Sequence, residues 1–334
     1  MRRISLFFFL VSGFTLLFAT GSRESDADMK TNITIGISKI IAHPALDAVE
    51  KGIKDELSTR GWNIQYDDQN ANGDLNAAAT IAQKFKADKV SLAIGIATPT
   101  AQALVQTLKT IPVVYTAVTD PVAAGIVRSY DKGCEYVTGV SDRTPVKEQI
   151  ELLLKINPAI KTIGHVYTSS EENAVVVAGL VKEVVRKLNL NYVETTVNNS
   201  AEVRSAMLSI AKRIDALYVS TDNTVVSALP ALVDVARKYQ VAIMSADPSS
   251  SMETGGILVA WGFDYYKMGR FTGKLVYSIL NKEKKIVDIP TQYMTNPNDV
   301  QIFIDLDVAK ALKLQIPENI LSKASKVREN GSIR

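Results

Sequence analysis

Short apolar segments alternate with longer amphipathic segments along most of this chain. Residues 33–37 form a β-branched run, and after it Leu46, Val49, Ile53 and Leu57 recur every third or fourth residue. A short apolar run predicts a buried strand, and this recurrence predicts a helix with one buried face. Strands that alternate with helices favour an α/β architecture, in which helices cover both faces of a parallel sheet.

The alternation occurs twice, with one set of predicted strands beginning at residue 33 and a second beginning at residue 163. Residues 141–145 interrupt the pattern between the two sets. A chain of 334 residues is long enough for two domains. We therefore expect two Rossmann-like lobes, each built on its own parallel sheet.

Small polar residues follow the predicted strands in both halves. They fall in segments 38–39, 97–100, 116–120, 168–173, 220–223 and 245–248. Open α/β sheets bind their ligands at the carboxyl ends of parallel strands. Any single segment is explained as well by capping of the helix that follows it. The joint placement of all six at predicted strand ends favours a ligand cleft shared by the two lobes.

Composition and motifs favour binding over catalysis. The formal net charge is +3, and no dense block of Lys and Arg suggests a nucleic-acid partner. The chain shows no phosphate loop, dinucleotide fingerprint or serine nucleophile elbow. With Cys134 as the single cysteine and two histidines, it offers too few ligands for a zinc site. We therefore expect no catalytic residues, metal or cofactor, and a structural role for His165, which falls within a predicted strand.

The first residues have the layout of a secretory signal peptide. Arg2 and Arg3 precede an apolar run over residues 4–18, and small residues follow at 19–21. We expect cleavage after residue 21, a polar spacer over residues 22–32, and a periplasmic or otherwise extracytoplasmic mature protein; an uncleaved membrane anchor is the alternative. Ser22 stands where a lipid-anchored protein carries cysteine, so no lipid attachment is expected.

Several segments carry a resemblance to a known family. They are residues 37–47, 97–102, 117–125, 167–173, 220–224, 246–249, 262–269 and 303–317. Through them the chain resembles the substrate-binding proteins of ABC importers, in the group with a type I periplasmic-binding fold that includes tryptophan and tyrosine binders. The resemblance covers residues 31–325 in order.

The resemblance implies two α/β lobes that are joined by three crossovers and close on ligand about a hinge. The expected N-terminal lobe is 33–142 plus about 266–289, the C-terminal lobe is 143–265 plus about 290–325, and 326–334 is a frayed tail. It also implies a monomer that binds an amino acid, with aromatic amino acids favoured, and delivers it to a permease driven by a cytoplasmic ATPase.

The candidate ligand-binding residues lie at the strand ends: His43, Thr98, Pro99, Thr100, Val118, Thr119, Asp120, Ser170, Glu171, Asn173, Asp222, Asn223 and Asp247. By similarity, the Thr98 and Thr119 loops take the ligand's α-carboxylate, and an acid of the second lobe takes its α-ammonium. The sequence leaves open which acid does so, and whether His43 contacts ligand or only begins a helix.

Three other functions remain open at this stage. The first is binding of another small polar solute, such as a nucleoside or a sugar, although a sugar site favours more than the two Trp present. The second is a secreted α/β enzyme, against which the missing catalytic motifs argue. The third is a ligand-sensing regulator, which would require a DNA-binding module where this chain has a signal-like segment.

Overall fold

Two β-sheets organise residues 33–334, the part of the chain that this computed structural model describes. The predicted signal peptide and spacer lie outside the described residues. The first sheet and its helices are formed by β1 (Ile33–Lys39), α1 (Pro44–Ser58), β2 (Ile64–Asn70), α2 (Leu75–Ala87), β3 (Leu92–Ile96), α3 (Thr98–Thr107), β4 (Val113–Val118) and β5 (Val137–Ser141).

The second sheet repeats this alternation. Its elements up to the next crossover are α4 (Val146–Ile156), β6 (Thr162–Thr168), α5 (Glu172–Lys187), β7 (Asn191–Val197), α6 (Val203–Ile210), β8 (Ala216–Val219), α7 (Asn223–Ser227), α8 (Leu229–Tyr239), β9 (Ala242–Ser245), α9 (Pro248–Thr254) and β10 (Val259–Phe263). The remaining elements are α10 (Tyr265–Leu280), β11 (Gln292–Tyr293), β12 (Val300–Asp305), α11 (Leu306–Ala311), α12 (Glu318–Leu321), β13 (Lys326–Glu329) and β14 (Ser332–Ile333).

Most strand pairs are parallel, as the sequence predicts. The first sheet has the order β11-β5-β4-β3-β1-β2 with every pair parallel, and the second has the order β14-β13-β12-β10-β9-β8-β6-β7. In the second sheet, β10 with β12 and β13 with β14 are antiparallel. The chain passes between the sheets after β5, after β10 and after β11. We refer to these three connections as crossovers, and to each sheet with its helices as a lobe.

The amphipathic face predicted for α1 is confirmed. Leu46, Val49, Ile53 and Leu57 are all buried. Helix α10 returns from the second lobe to pack on this helix, and the two backbones approach closely at Gly269, where a Cβ would stand 2.1 Å from the Val49 carbonyl oxygen. Close packing of α1 on α10 ties the second crossover to the first lobe.

Two helix starts follow ordinary capping rules. The Asp74 side chain accepts hydrogen bonds from the first turn of α2. Helix α3 begins at Thr98, earlier than the periodicity suggests, because Pro99 fits the first turn of a helix, where its missing N–H costs nothing. No helix within residues 33–334 is long and apolar enough to cross a membrane.

Two parts of the predicted domain layout are wrong. Residues 326–334 are not frayed, because β13 pairs with β12 and turns into β14 through Asn330 and Gly331, whose φ angles are 52° and 76°. These angles are those of a tight hairpin turn, for which Asn-Gly is a strong signal. Strand β11 belongs to the first sheet, where it pairs with β5; a strand of two residues leaves no periodicity to read.

Candidate ligand-binding site

The carboxyl ends of both sets of parallel strands meet at one buried cavity. It is lined by residues from both lobes and from two crossovers: His43, Leu46, Ala117, Asp142, Thr221, Asp222, Asn223, Val226, Asp247 and Tyr265. Leu46, Ala117 and Val226 are the apolar members of the lining, and the others carry polar or charged groups. The cavity therefore suits a small ligand with both charged and apolar parts.

The two lobes are closed over this cavity. Thr119 at the end of β4 and Thr221 after β8 bring their hydroxyl oxygens within 3.2 Å of each other. Helix α1 of the first lobe also contacts α9 of the second. Contacts between residues of different lobes depend on the closed arrangement of the lobes.

The first lobe presents hydroxyl groups at the start of α3. Ala97 precedes the helix with φ 81°, a backbone conformation that non-glycine residues rarely adopt and that functional sites often contain. The Thr100 hydroxyl donates to the Ile96 carbonyl at 2.7 Å. By contrast, the buried hydroxyls of Thr98 and Ser38 have no hydrogen-bond partner among the described residues. These two groups are available to a ligand.

A buried carboxylate joins two crossovers beside the cavity. Asp142, after β5, accepts hydrogen bonds from the Thr119 hydroxyl at 3.0 Å and from the Tyr265 hydroxyl at 3.0 Å. Burial raises the pKa of Asp142 to about 6, against the lowering effect of these two hydrogen bonds. Because Thr119 gives its proton to Asp142, its oxygen remains only as an acceptor toward other groups.

Two acidic residues of the second lobe are saturated by the protein itself. Glu171 accepts from the Thr224 backbone N–H at 3.0 Å, from the Thr224 hydroxyl at 2.8 Å, and from the side chain of Asn223. Asp222 accepts from the Thr168 hydroxyl and from the Val225 N–H, both at 2.9 Å. Burial and the nearby Glu171 charge raise the pKa of Asp222. Both carboxylates hold the start of α7 in place.

Asp247 differs from these two residues. One carboxylate oxygen caps α9 by accepting from the Ser250 N–H at 3.0 Å. The other oxygen, Oδ2, is buried and has no hydrogen-bond partner within residues 33–334. An unpaired buried carboxylate oxygen is costly unless a donor or a cation meets it. Asp247 is therefore the acid in the cavity lining with a free oxygen.

His43 lies beside Asp247 in the lining. It precedes α1 and is 8% exposed. Burial lowers the pKa of His43, although the charge of Asp247 and the side chain of Asn223 oppose this shift. At neutral pH the imidazole is uncharged, so each of its nitrogens can donate or accept, but not both.

The described residues contain no group of three or more His, Cys, Asp or Glu side chains that could hold a metal ion. The sequence pattern of ABC transporter substrate binding proteins matches residues 34–328. The chain belongs to this family.

The names of two relatives state an amino-acid ligand. The tyrosine-binding protein of Clostridioides difficile (strain R20291) is 37% identical over 303 residues, which is 88% of this chain and 86% of that protein. The crystal structure of an ABC domain in complex with L-Trp from Streptococcus pneumonia is 32% identical; the match covers 89% of this chain and 100% of the other, with a TM-score of 0.84.

A third relative shows a different arrangement. The ligand-free, open structure of a substrate-binding protein with adhesive properties from Clostridium difficile is 36% identical, and the match covers 89% of this chain and 100% of that one. Its TM-score is 0.66, lower than the 0.84 for the L-Trp complex. The closed arrangement described above thus matches the ligand-bound relative better.

The family and the fold confirm the broad predictions from the sequence. The substrate-binding protein has a type I periplasmic-binding fold with two parallel-dominated sheets. Members of the family bind solutes and are not enzymes, and ABC transporter substrate-binding proteins work outside the cytoplasm.

The candidate site residues fall into three groups. His43, Asp222, Asn223 and Asp247 line the cavity. Seven more are buried but do not line the cavity: Thr98, Pro99, Thr100, Val118, Thr119, Glu171 and Asn173. The remaining two, Asp120 and Ser170, lie apart.

Asp120 and Ser170 are placed away from the lining for different reasons. The Asp120 carboxylate is occupied by the Tyr130 hydroxyl at 2.6 Å and by the Ala123 N–H at 2.9 Å. Ser170 is exposed on the turn before α5. Asn173 lies inside: its amide donates to the Thr221 carbonyl at 2.9 Å, and its Oδ1 has no partner in the described part of the chain.

The sequence prediction omits six lining residues: Leu46, Ala117, Asp142, Thr221, Val226 and Tyr265. Asp142 directly follows β5 and Tyr265 begins α10 just after β10, but the sequence marks residues 141–145 only as a break in the pattern and gives Tyr265 no polar strand-end segment. His165, in contrast, is structural as predicted: its ring nitrogens lie 3.0 Å from the Tyr192 hydroxyl and 3.1 Å from the Ser220 hydroxyl. Burial lowers the pKa of His165 to about 3.

Proposed function

We propose that this substrate-binding protein captures one aromatic L-amino acid in the cavity and delivers it to the permease of an ABC importer. The observation that carries the proposal is Asp247 Oδ2, a buried and unpartnered carboxylate oxygen in the cavity lining, together with the buried, unpartnered hydroxyls of Thr98 and Ser38 at the strand ends of the first lobe. An amino acid supplies both the ammonium and the carboxylate that these atoms require.

In this proposal Asp247 pairs with the α-ammonium. Glu171 and Asp222 are less suited, because protein donors already occupy their oxygens. Asp142 lies on the same lining, and the Thr119 oxygen is an acceptor, so all three groups suit a cation. Thr119 thus belongs with the ammonium, whereas the resemblance alone suggested the carboxylate.

The α-carboxylate would lie at the start of α3. The first N–H groups of a helix have no partner within the helix and favour an anion. The Thr98 and Ser38 hydroxyls add free donors near this end. The ligand's side chain would contact Leu46, Ala117 and Val226. Relatives named for tyrosine and bound to L-Trp support an aromatic side chain.

Calorimetric titration of residues 22–334 with L-Tyr, L-Trp, L-Phe, the other amino acids, nucleosides and sugars tests the proposal. An aromatic amino acid should bind, and at about 100 times its Kd it should add about 2.7 kcal/mol to the free energy of unfolding. Binding of a nucleoside or sugar without any aromatic amino acid would contradict the proposal.

The role of Asp247 is tested with the same titration. Asp247→Asn should weaken L-Tyr binding by about 100-fold or more, because it leaves the ammonium without its charged partner. The desamino analogue 3-(4-hydroxyphenyl)propionate should bind weakly to the wild-type protein and lose nothing further in the variant. Asp234→Asn, an exposed acid paired with Arg204, is the matched control. Equal losses for both ligands in Asp247→Asn would refute the pairing.

A further inference from the structure

A second cavity lies at the crossovers, apart from the amino-acid site. We call it the hinge groove; it encloses about 530 Å³, and its walls include Pro145, Trp261, Phe263, Pro297, Asn298 and Lys323. It shares no lining residue with the inter-lobe cavity. This volume falls within the range of about 300–1,000 Å³ that small-molecule sites occupy.

The chemistry of the hinge groove suits a flat apolar anion. Trp261, Phe263 and two prolines supply the apolar walls, and none of the described lining residues is acidic. Lys323 is exposed at the groove, and within residues 33–334 its ammonium forms no ion pair or hydrogen bond. An aromatic carboxylate would place its ring against the apolar walls and its charge beside Lys323.

The same two crossovers line the groove and the amino-acid cavity. Thr144 faces the groove and Asp142, two residues earlier, faces the cavity; Phe263 and Tyr265 are related in the same way. The hydrogen bond from Tyr265 to Asp142 joins these crossovers at 3.0 Å. The shape of the groove therefore depends on the crossover conformation that accompanies lobe closure.

We infer that the hinge groove is an accessory site for an aromatic carboxylate, and that its occupation favours the closed lobes. A ligand that fits the groove in this closed arrangement stabilises that arrangement, and the amino acid does the same from the cavity. Each ligand must then tighten the binding of the other by the same factor. The coupling, though not the groove itself, rests on the proposed amino-acid function.

Binding to the groove can be followed by the fluorescence of Trp261. The chain has two tryptophans, so Trp62→Phe leaves Trp261 as the reporter. Titration with 2-naphthoate should change this fluorescence saturably. Lys323→Met should weaken 2-naphthoate binding about fivefold, the effect of one partly exposed charged contact, and leave the neutral 2-naphthamide unaffected. Lys326→Met, on β13 outside the lining, is the matched control.

Three results would overturn the inference. They are no fluorescence change at millimolar 2-naphthoate, equal losses in Lys323→Met and Lys326→Met, and displacement of 2-naphthoate by L-Tyr. The last result would place the naphthoate in the amino-acid cavity. The expected result is that saturating L-Tyr tightens 2-naphthoate binding at least threefold in the wild-type protein and not in Asp247→Asn. If no amino acid binds at all, the titrations of the two lysine variants still decide whether the groove is a site.

Discussion

At the scale of single residues, hydrogen-bond geometry separates the carboxylates that hold the fold from those that face a ligand. Glu171 and Asp222 accept enough protein donors to act as internal caps. Asp247 keeps one free oxygen, and Asp142 holds two hydroxyls in place. The cavity therefore concentrates negative charge without a protein cation among its lining residues, and such a cluster depends strongly on pH.

Amino-acid affinity should fall as the pH drops below about 6. Burial raises the pKa of Asp142 to about 6 in the folded protein, and a ligand ammonium beside it favours the ionised form. The affinity for L-Tyr should therefore weaken by up to about tenfold per pH unit between pH 6 and 5. Asp142→Asn should abolish this component, as measured by calorimetry at pH 5, 6 and 7.

In the unliganded protein, the contribution of Asp142 to folding stability should have the opposite pH dependence. Its folded pKa of about 6 exceeds the 3.8 of the free side chain, so the folded state binds the proton more tightly. Asp142 then stabilises the fold most below pH 4, and this stabilisation is lost as the pH rises from 4 to 6. Tyr265→Phe removes a hydrogen bond that lowers this pKa, so it should move the affinity midpoint to higher pH. A midpoint that moves down would contradict the assignment.

The sequence could locate the site region but not the state of each side chain. Of the residues predicted at strand ends, His43, Asp222, Asn223 and Asp247 line one cavity. Glu171 reads like an equally good ligand, yet its partners Asn223 and Thr224 come from a distant segment of the chain. Hydrogen-bond saturation is a tertiary property, so no local pattern distinguishes Glu171 from Asp247.

At the scale of elements, prediction succeeded where periodicity or capping acts within one segment. Helix α1 and the cap of α2 are read directly from residue spacing. Sequence patterns do not predict the C-terminal hairpin, because its strands are short and polar, although Asn330-Gly331 is a turn signal. Its stability comes partly from Asp307, which accepts from the N–H groups of both turn residues at 2.8 Å.

Two glycine substitutions should have opposite effects. Gly331 has φ 76°, so Gly331→Ala should strain the turn by about 1 kcal/mol. Hydrogen exchange at the Val327 and Arg334 amides, which bond across this hairpin, should accelerate about fivefold. Unprotected Val327 and Arg334 amides in the wild-type protein would contradict the hairpin.

Gly179 lies in α5 with open space around its missing Cβ, so Gly179→Ala should raise the free energy of unfolding by about 0.5–1 kcal/mol.

At the scale of the whole molecule, the fold consists of two lobes that together line the cavity. Neither sheet alone encloses the cavity, because its lining draws on strand ends of both lobes and on the crossovers. In the proposed function, ligand binding and lobe closure therefore form one equilibrium. A ligand that moves the lobes from 1% to 99% closed must bind the closed form about 10⁴-fold more tightly than the open form. Contacts between the lobes strengthen the preference for the closed form without changing the folding stability of either lobe.

The hydrogen bond between Thr119 and Thr221 allows the effect of lobe closure on affinity to be measured apart from the stability of the fold. Thr221→Val removes an inter-lobe hydrogen bond of 3.2 Å while keeping the side-chain shape, and should lower L-Tyr affinity by about 0.5–1.5 kcal/mol. Because the open form lacks this contact, the free energy of unfolding without ligand should stay nearly unchanged. Small-angle scattering should show compaction on adding L-Tyr, with a higher ligand concentration needed in the variant. Thr80→Val on α2, whose hydroxyl bonds only within its own helix, is the control. A drop in unliganded stability equal to the loss of affinity would mean that Thr221 supports the fold rather than closure.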